Sequence, residues 1–327
     1  MKKPTTVLLL VSAAAAAALA ASIFAPKQHS GEYRLKITKG QGMSAVSRKL
    51  AADGIIHNRA ALLAAAHLAG TGQIRAGTYR LPQRLSAWEL AKRLQGRPDT
   101  VTVRIIEGVR FAQMRELINR NQDLDHETAT WGNEKLLQAI DPQNTHADPE
   151  GLFAPDSYEI ELGGSDLQVY RLAYAHMQKN LKRAWEGRKP GLPYQTPYEM
   201  LIMASIIEKE TGLPSDRRDI SAVFANRLNI GMRLQTDPTV IYGMGDKYSG
   251  KIRKADLQED TPYNTYTRGG LPPTPISLPG RAALEAAAHP SDAKYLYFVS
   301  RMDGSGASVF SHTLEEHNAA VRRYILN

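Results

Sequence analysis

The chain has 327 residues, with 41 Lys and Arg against 33 Asp and Glu, and it has no cysteine. Its 43% apolar and 23% charged residues are typical of a globular protein and exclude a disordered or collagen-like chain. The lack of cysteine excludes disulfides, thiolate metal sites and a cysteine nucleophile, and the length predicts about two folded units.

The N-terminus carries an uncharged run of 19 residues, Val7 to Ala25, which follows Lys2 and Lys3. About 20 apolar residues span a bilayer, so we expect residues 1–27 to form a transmembrane anchor whose lysines keep the N-terminus in the cytoplasm. A cleaved signal peptide is the alternative, because the run is rich in alanine. In both cases the remainder lies outside the cytoplasm, where no nucleic-acid partner is expected. The net charge of +8 then suits a soluble surface or an anionic envelope such as phospholipid headgroups or cell-wall polymer.

The segment 33–100 is predicted to be a small subdomain. Glu32–Thr38 alternates like a strand, Met43–Asp53 and Asn58–Leu68 have helical spacing, and Gly77–Leu81 is typical of a returning strand. This strand–helix–helix–strand order resembles a LysM-like module.

The segment 101–190 is predicted to be a connector and the start of the catalytic region. It contains a strand at Val101–Ile106, an amphipathic helix at Leu167–Trp185, and a turn-rich stretch, Pro149–Tyr158, that combines two prolines with carboxylates. Asp156 in that stretch is a candidate substrate-binding residue.

The most informative helix opens the predicted catalytic domain, 191–327. Thr196 suits an N-cap, Gly212 suits a C-cap, and Met200–Ile207 is apolar on nearly all faces, which predicts a buried helix. Glu208 and Glu210 follow in its last turn, where burial and the helix dipole both raise a carboxyl pKa. Because they lie about 200° apart around the helix, they cannot both face one pocket. Spacing alone leaves open which one acts as an acid, or whether both are surface residues.

Two later segments are dense in polar side chains. Gln235–Pro238 forms a turn, and Tyr263–Tyr266 belongs to a long aromatic loop that ends at Pro273. Tyr and Asn side chains suit carbohydrate contacts, although such a loop could also be a proline-stiffened cover over the core. The histidines are scattered, and His312 and His317 are five residues apart, so we expect no metal site and no cofactor.

Six sequence blocks resemble the endolytic murein transglycosylase family (MltG, YceG-like), and the resemblance covers nearly the whole chain. The blocks are Ser205–Thr211, Asn226–Leu228, Leu234–Gly243, Tyr263–Tyr266, Gly270–Pro273 and Ala287–Pro290. In that family the catalytic acid is the second glutamate of the E-K-E-T element, which corresponds to Glu210, with Glu208 as the alternative. One departure is the family's glycine–histidine pair before a C-terminal phenylalanine. Here the sequence is Ala307-Ser308-Val309-Phe310, so that role is either absent or has moved to His312.

The resemblance implies a single-pass inner-membrane protein with an α+β periplasmic part. It implies a lytic transglycosylase that cleaves nascent glycan strands between MurNAc and GlcNAc and leaves a 1,6-anhydroMurNAc end, with peptidoglycan synthases as candidate partners. Glu210 would be the single general acid and base. The residues expected to bind the glycan are Asp156, Gln235, Asp237, Tyr263, Asn264 and Tyr266.

Two other functions remain open at this point. A hydrolase would pair Glu210 with Asp156 or Asp237 across a water molecule. A non-catalytic scaffold would bind the wall through the LysM-like segment and would not depend on Glu210.

Overall fold

The computed structural model describes residues 3–70 and 73–326, and these form the helix-rich α+β fold that the sequence predicts. The strands within the described residues pair into short two-stranded sheets. The chain divides into two compact units. Unit 1 contains the residues up to Thr102 together with 123–125 and 159–164, and unit 2 contains 103–122, 126–158 and the residues from Ser165 onward.

Unit 1 is built from short helices and strands around its own apolar core. Its elements are α1 (Lys3–Phe24), β1 (Lys27–Gln28), β2 (Tyr33–Ile37), α2 (Met43–Ala52), α3 (Arg59–Leu68), β3 (Gly77–Leu81), β4 (Arg84–Leu85), α4 (Ala87–Gln95) and the start of β5 (Thr100–Arg104). Strands β2 and β3 are antiparallel, with Tyr33 opposite Leu81. The strand–helix–helix–strand order is therefore present, while a LysM identity and the boundaries 33–100, 101–190 and 191–327 stay predictions. Residues 71 and 72 lie outside the described residues.

The alternation of buried and exposed side chains along β2 explains how unit 1 buries its core. Leu35 and Ile37 point inward and are almost fully buried, as is Leu90 from α4. Helix α4 begins at Ser86, whose hydroxyl oxygen accepts the Glu89 N–H at 3.2 Å while the Glu89 carboxylate accepts the Ser86 N–H at 2.7 Å. This reciprocal capping fixes the start of the helix that closes the core.

The C-terminal end of α1 packs against the other helices of unit 1. Ile23 is buried, and the ring of Phe24 lies 5.6 Å from that of Trp88. Among residues 3–70 and 73–326, no helix combines the length and the apolarity that crossing a membrane requires. The predicted anchor is thus not confirmed. Lys2, on which the predicted orientation depends, lies outside the described residues.

Unit 2 is organised around one buried helix, α8 (Pro197–Glu210). The other elements are α5 (Phe111–Asn119), α6 (Asn133–Ile140), β6 (Ser157–Glu161, partly in unit 1), α7 (Asp166–Glu186), α9 (Arg217–Asn229), α10 (Asp237–Met244), α11 (Arg281–Ala288), β7 (Tyr297–Ser300), β8 (Ser308–Ser311) and α12 (Leu314–Tyr324). All residues from Met200 to Ile207 are buried, as predicted, and helices α7, α9, α10 and α11 pack around them.

Helix α8 ends earlier than the sequence predicts. Thr196 caps its start by accepting the Glu199 N–H at 3.2 Å, as expected. The predicted glycine cap at Gly212 is wrong, because Thr211 already takes an extended conformation with φ −149°. Glu210 is therefore the last helical residue.

Candidate active site

Glu210 lines a cavity of about 550 Å³ within unit 2. The cavity lies where the end of α8 meets the turn before α10, the loop around Tyr266, the β7–β8 hairpin and the start of α12. The lining residues that matter for its chemistry are Glu210, Arg227, Gln235, Thr236, Asp237, Tyr266, Tyr297, Ser308, Leu314 and His317.

Glu210 has the electrostatic setting of a proton donor. The pKa of its carboxyl is raised to about 7, chiefly by burial and also by the negative charge of Asp237. A hydrogen bond from the Thr236 hydroxyl to Oε1 and the positive charge of Arg227 oppose this rise. A carboxyl with a pKa near 7 holds its proton in part at neutral pH and can both donate and accept one.

Glu208 lies outside this cavity, consistent with the angle expected between the two glutamates. Its Oε2 accepts the backbone N–H of Gly280 at 2.8 Å. Burial raises its pKa as well, and this hydrogen bond opposes the rise. Glu208 therefore joins α8 to the start of α11, whereas Glu210 faces the open space.

The turn that carries Gln235 and Thr236 is strained and firmly held. Gln235 has φ +48°, a left-handed conformation that is unfavourable for residues other than glycine. Its N–H donates to the Thr265 carbonyl at 3.1 Å, the Thr236 N–H donates to the Thr265 hydroxyl at 3.0 Å, and Arg227 Nη1 donates to the Leu234 carbonyl at 2.6 Å. These bonds hold Gln235 and Thr236 at the cavity despite the strain.

A second carboxyl, that of Asp237, lines the same cavity. The Tyr266 hydroxyl donates to Asp237 Oδ1 at 2.6 Å, and burial raises the pKa of that tyrosine. The structure thus brings together four of the residues singled out in the sequence, namely Glu210, Gln235, Asp237 and Tyr266. Among residues 3–70 and 73–326, no group of three or more acidic or histidine side chains is placed to hold a metal ion.

Asn264 does not line the cavity but holds the loop that contains Tyr266. Its side chain is fully buried, its amide donates to the carbonyls of Leu257 at 3.1 Å and Glu259 at 2.7 Å, and its Oδ1 accepts the Tyr266 N–H at 2.9 Å. We therefore interpret Asn264 as a residue that shapes the loop presenting Tyr266.

Tyr263 and Asp156 are also outside the cavity lining. The Tyr263 hydroxyl lies 2.9 Å from the Thr274 hydroxyl, and its ring lies 4.8 Å from that of Tyr242. Asp156 precedes β6, and its carboxylate lies 3.3 Å from Nδ1 of His176. Neither side chain is placed beside Glu210 in this structure.

The C-terminal part of the cavity was not anticipated from the sequence. Tyr297, Ser308 and His317 line it. His312 lies outside the cavity lining: its ring packs beside Tyr295 with the centroids 4.8 Å apart, and its Nδ1 lies 3.2 Å from the Lys294 carbonyl. Arg227 belongs to the Asn226–Leu228 block and interrupts the apolar face of α9, but no role was predicted for it.

Comparisons with known proteins agree on one family. The model of the YceG-like family matches residues 35–323. A Bacillus subtilis protein named endolytic murein transglycosylase is 47% identical over 128 residues, which are 39% of this chain and 35% of that protein. A Streptococcus pneumoniae protein of the same name is 26% identical over 321 residues, which cover 88% of this chain and 58% of that protein. The matches therefore span less than two thirds of the length of these curated relatives.

A solved structure supports the same family assignment. The crystal structure of a yceG-like protein from Listeria monocytogenes superposes with a TM-score of 0.54 at 28% identity. The superposition covers 90% of this chain and 99% of that one. Coverage of 90% means that the similarity extends over both units.

Proposed function

This chain belongs to the YceG-like family, and from that premise we propose that it is a lytic transglycosylase that cleaves peptidoglycan glycan strands internally. The observation that carries the proposal is the carboxyl of Glu210, which lies in a polar cavity with its pKa raised to about 7. The names of the relatives support the same activity.

The proposed reaction needs one carboxyl that acts twice. Protonated Glu210 donates its proton to the glycosidic oxygen between MurNAc and GlcNAc as the bond from the MurNAc C1 to that oxygen breaks. The resulting Glu210 carboxylate then takes the proton of the MurNAc 6-hydroxyl, whose oxygen attacks C1 and closes a 1,6-anhydro ring. Glu210 ends protonated, no water is consumed, and the two products together have the mass of the substrate.

The surroundings of Glu210 suit both steps. Its raised pKa keeps the proton available for the first step at neutral pH. The hydrogen bond from Thr236 and the charge of Arg227 stabilise the carboxylate that forms between the steps. Gln235, Asp237 and Tyr266, which line the same cavity, are the proposed contacts for the sugar hydroxyl and acetamide groups.

A hydrolase is the second candidate, because Asp237 shares the cavity with Glu210. Hydrolysis requires a second carboxyl that activates a water or forms a covalent intermediate. The pairing with Asp156 has no such support, because Asp156 lies beside His176 and outside the cavity lining.

The mass of the products separates these functions. Uncrosslinked glycan strands are incubated with the full chain, and the fragments are analysed by mass spectrometry. Internal fragments that end in 1,6-anhydroMurNAc support the proposal. Ends that have gained one water support the hydrolase, and strands that bind without being cleaved support a wall-binding scaffold.

The proposed substrate also determines where the protein would act. Peptidoglycan lies outside the cytoplasm, so we extend the proposal to an inner-membrane protein whose units face the periplasm and work beside peptidoglycan synthases. The uncharged run from Val7 to Ala25 supports this location. Protease added to spheroplasts should degrade unit 2, whereas full protection would contradict the location.

A further inference from the structure

The first turn of α12 forms one wall of the cavity that contains Glu210. Thr313 caps this helix by accepting the Glu316 N–H at 3.2 Å, and Glu316 in turn accepts the His312 N–H at 2.8 Å. The helix packs against β7 and β8. Leu314 and His317, three residues apart, lie on the same face and both line the cavity.

The imidazole of His317 is held by packing, and within residues 3–70 and 73–326 no side-chain hydrogen bond to it is present. It stacks on Tyr297 with the ring centroids 5.3 Å apart and the planes 23° apart. Its Nδ1 is buried and has no hydrogen-bond partner among the described residues. An orphaned buried N–H is rarer in proteins than an orphaned acceptor, so the tautomer with its proton on Nε2 is favoured.

The charge state of His317 follows from its neighbours. Burial lowers the pKa of the imidazole, and the positive charge of Arg227 lowers it further. The ring is therefore neutral at neutral pH and has one N–H donor. Because Nδ1 is enclosed, the Nε2 edge is the part of the ring that can meet a molecule in the cavity.

We propose that His317 binds the glycan by donating a hydrogen bond from Nε2 to a hydroxyl or acetamide oxygen of an amino sugar in the cavity. This inference rests on the proposed function and adds a substrate-binding residue to it. The residue is predicted to act on binding rather than on proton transfer, because the transfer is assigned to Glu210.

His312 provides a matched control on the same segment. It also packs against a tyrosine, Tyr295, but it lies outside the cavity lining and its Nδ1 is 3.2 Å from the Lys294 carbonyl. The change His312→Phe therefore makes the same chemical alteration away from the cavity.

The test measures binding and cleavage with the full chain. His317→Phe keeps a ring on Tyr297 and removes the donor, whereas His317→Gln places an amide N–H near the position of Nε2. Loss of one neutral hydrogen bond should raise KM about three- to tenfold, with kcat within about twofold. The Kd of strands for the Glu210→Gln chain should rise by the same factor when His317→Phe is added. His317→Gln should restore KM to within about twofold, and His312→Phe should change nothing.

The outcomes separate this inference from the proposed function. If the wild type cleaves the strands and His317→Phe leaves KM and Kd unchanged, His317 is not a binding residue and the proposed function stands. If the wild type neither binds nor cleaves strands, the proposed function and the inference about His317 are both wrong. Should His317→Phe fail to fold in a thermal unfolding assay, His317→Gln and His317→Met are compared, since they are similar in size and differ in the donor. Equal KM values for that pair would overturn the inference.

Discussion

At Glu210, the side chains around one carboxyl set its proton affinity in opposite directions. Burial and Asp237 raise its pKa, and Thr236 and Arg227 lower it, with a net result of about 7. The proposed reaction starts from the protonated acid, so activity should fall as the pH rises through this value. Each neighbour can be altered without removing the carboxyl itself.

Two substitutions should move the alkaline limb of the pH profile in opposite directions. Thr236→Val removes a hydrogen bond that stabilises the carboxylate, so it raises the pKa of Glu210 and moves the limb to higher pH. Asp237→Asn removes a negative charge, lowers that pKa and moves the limb to lower pH. The measurement is kcat/KM against pH, with Asp246→Asn, an exposed acid outside the cavity lining, as control. Limbs that move together, or not at all, would contradict this electrostatic account.

The left-handed backbone of Gln235 predicts a separation of stability from binding. Glycine adopts φ +48° without strain, so Gln235→Gly should be more stable than Gln235→Ala by about 1 kcal/mol. Both variants lose the proposed sugar contact and should raise KM equally. Chemical denaturation measures the difference in stability, and steady-state kinetics measures the change in KM. Equal stability of the two variants would mean that the turn carries no strain.

At the scale of helices and strands, local patterns predicted much of the site. The start of α8 followed from Thr196, and its burial followed from the apolar run up to Ile207. The end of α8 was predicted wrongly from Gly212, because Thr211, one residue earlier, is extended and already ends the helix. The wall made by β7 and α12 could not be predicted, since nothing local in the sequence indicates that residues near 297 and 317 lie beside Glu210.

Glu150 also connects two parts of the chain, because its buried carboxyl binds the first residue of α5. Its Oε1 accepts the N–H of Phe111, the first residue of α5, at 2.9 Å, and only 4% of the residue is exposed. Burial raises its pKa from 4.5 to about 7, against the effect of the Phe111 N–H. The unfolded chain thus ionises at lower pH than the folded one, so this group lowers stability as the pH rises from 4.5 through about 7.

Glu150→Gln should remove that pH dependence and keep the acceptor for α5. Relative to the wild type, the variant should gain up to about 3 kcal/mol in the free energy of unfolding between pH 4.5 and pH 8. Denaturation curves at the two pH values measure the difference. The same gain at both pH values would show that folding does not raise the pKa of Glu150.

For the whole molecule, the cavity residues all belong to unit 2, while unit 1 has a core of its own. Damage to the unit 1 core should therefore reduce stability and spare the chemistry. The family match from residue 35 to residue 323 includes both units.

A pair of leucine truncations tests this division of labour. Leu90→Ala in α4 should cost about 2–5 kcal/mol of stability and leave kcat of the folded protein within about twofold. Leu284→Ala in α11, which packs against α8, should cost a similar amount and also reduce kcat. Unfolding curves and kinetics at a temperature where both variants are folded provide the comparison, and an equal fall in kcat would contradict the assignment of catalysis to unit 2.

The central claim is that Glu210, and not Glu208, transfers the proton that cleaves the glycan. The most direct measurement is the yield of 1,6-anhydroMurNAc ends from uncrosslinked strands incubated with the wild type, Glu210→Gln and Glu208→Gln, with folding of each variant checked by its melting temperature. We expect Glu210→Gln to reduce the yield at least about a hundredfold and Glu208→Gln to retain cleavage, because its carboxylate bonds to Gly280 outside the cavity. A folded Glu210→Gln variant with nearly full yield, or loss of cleavage only in Glu208→Gln, would contradict the assignment of proton transfer to Glu210.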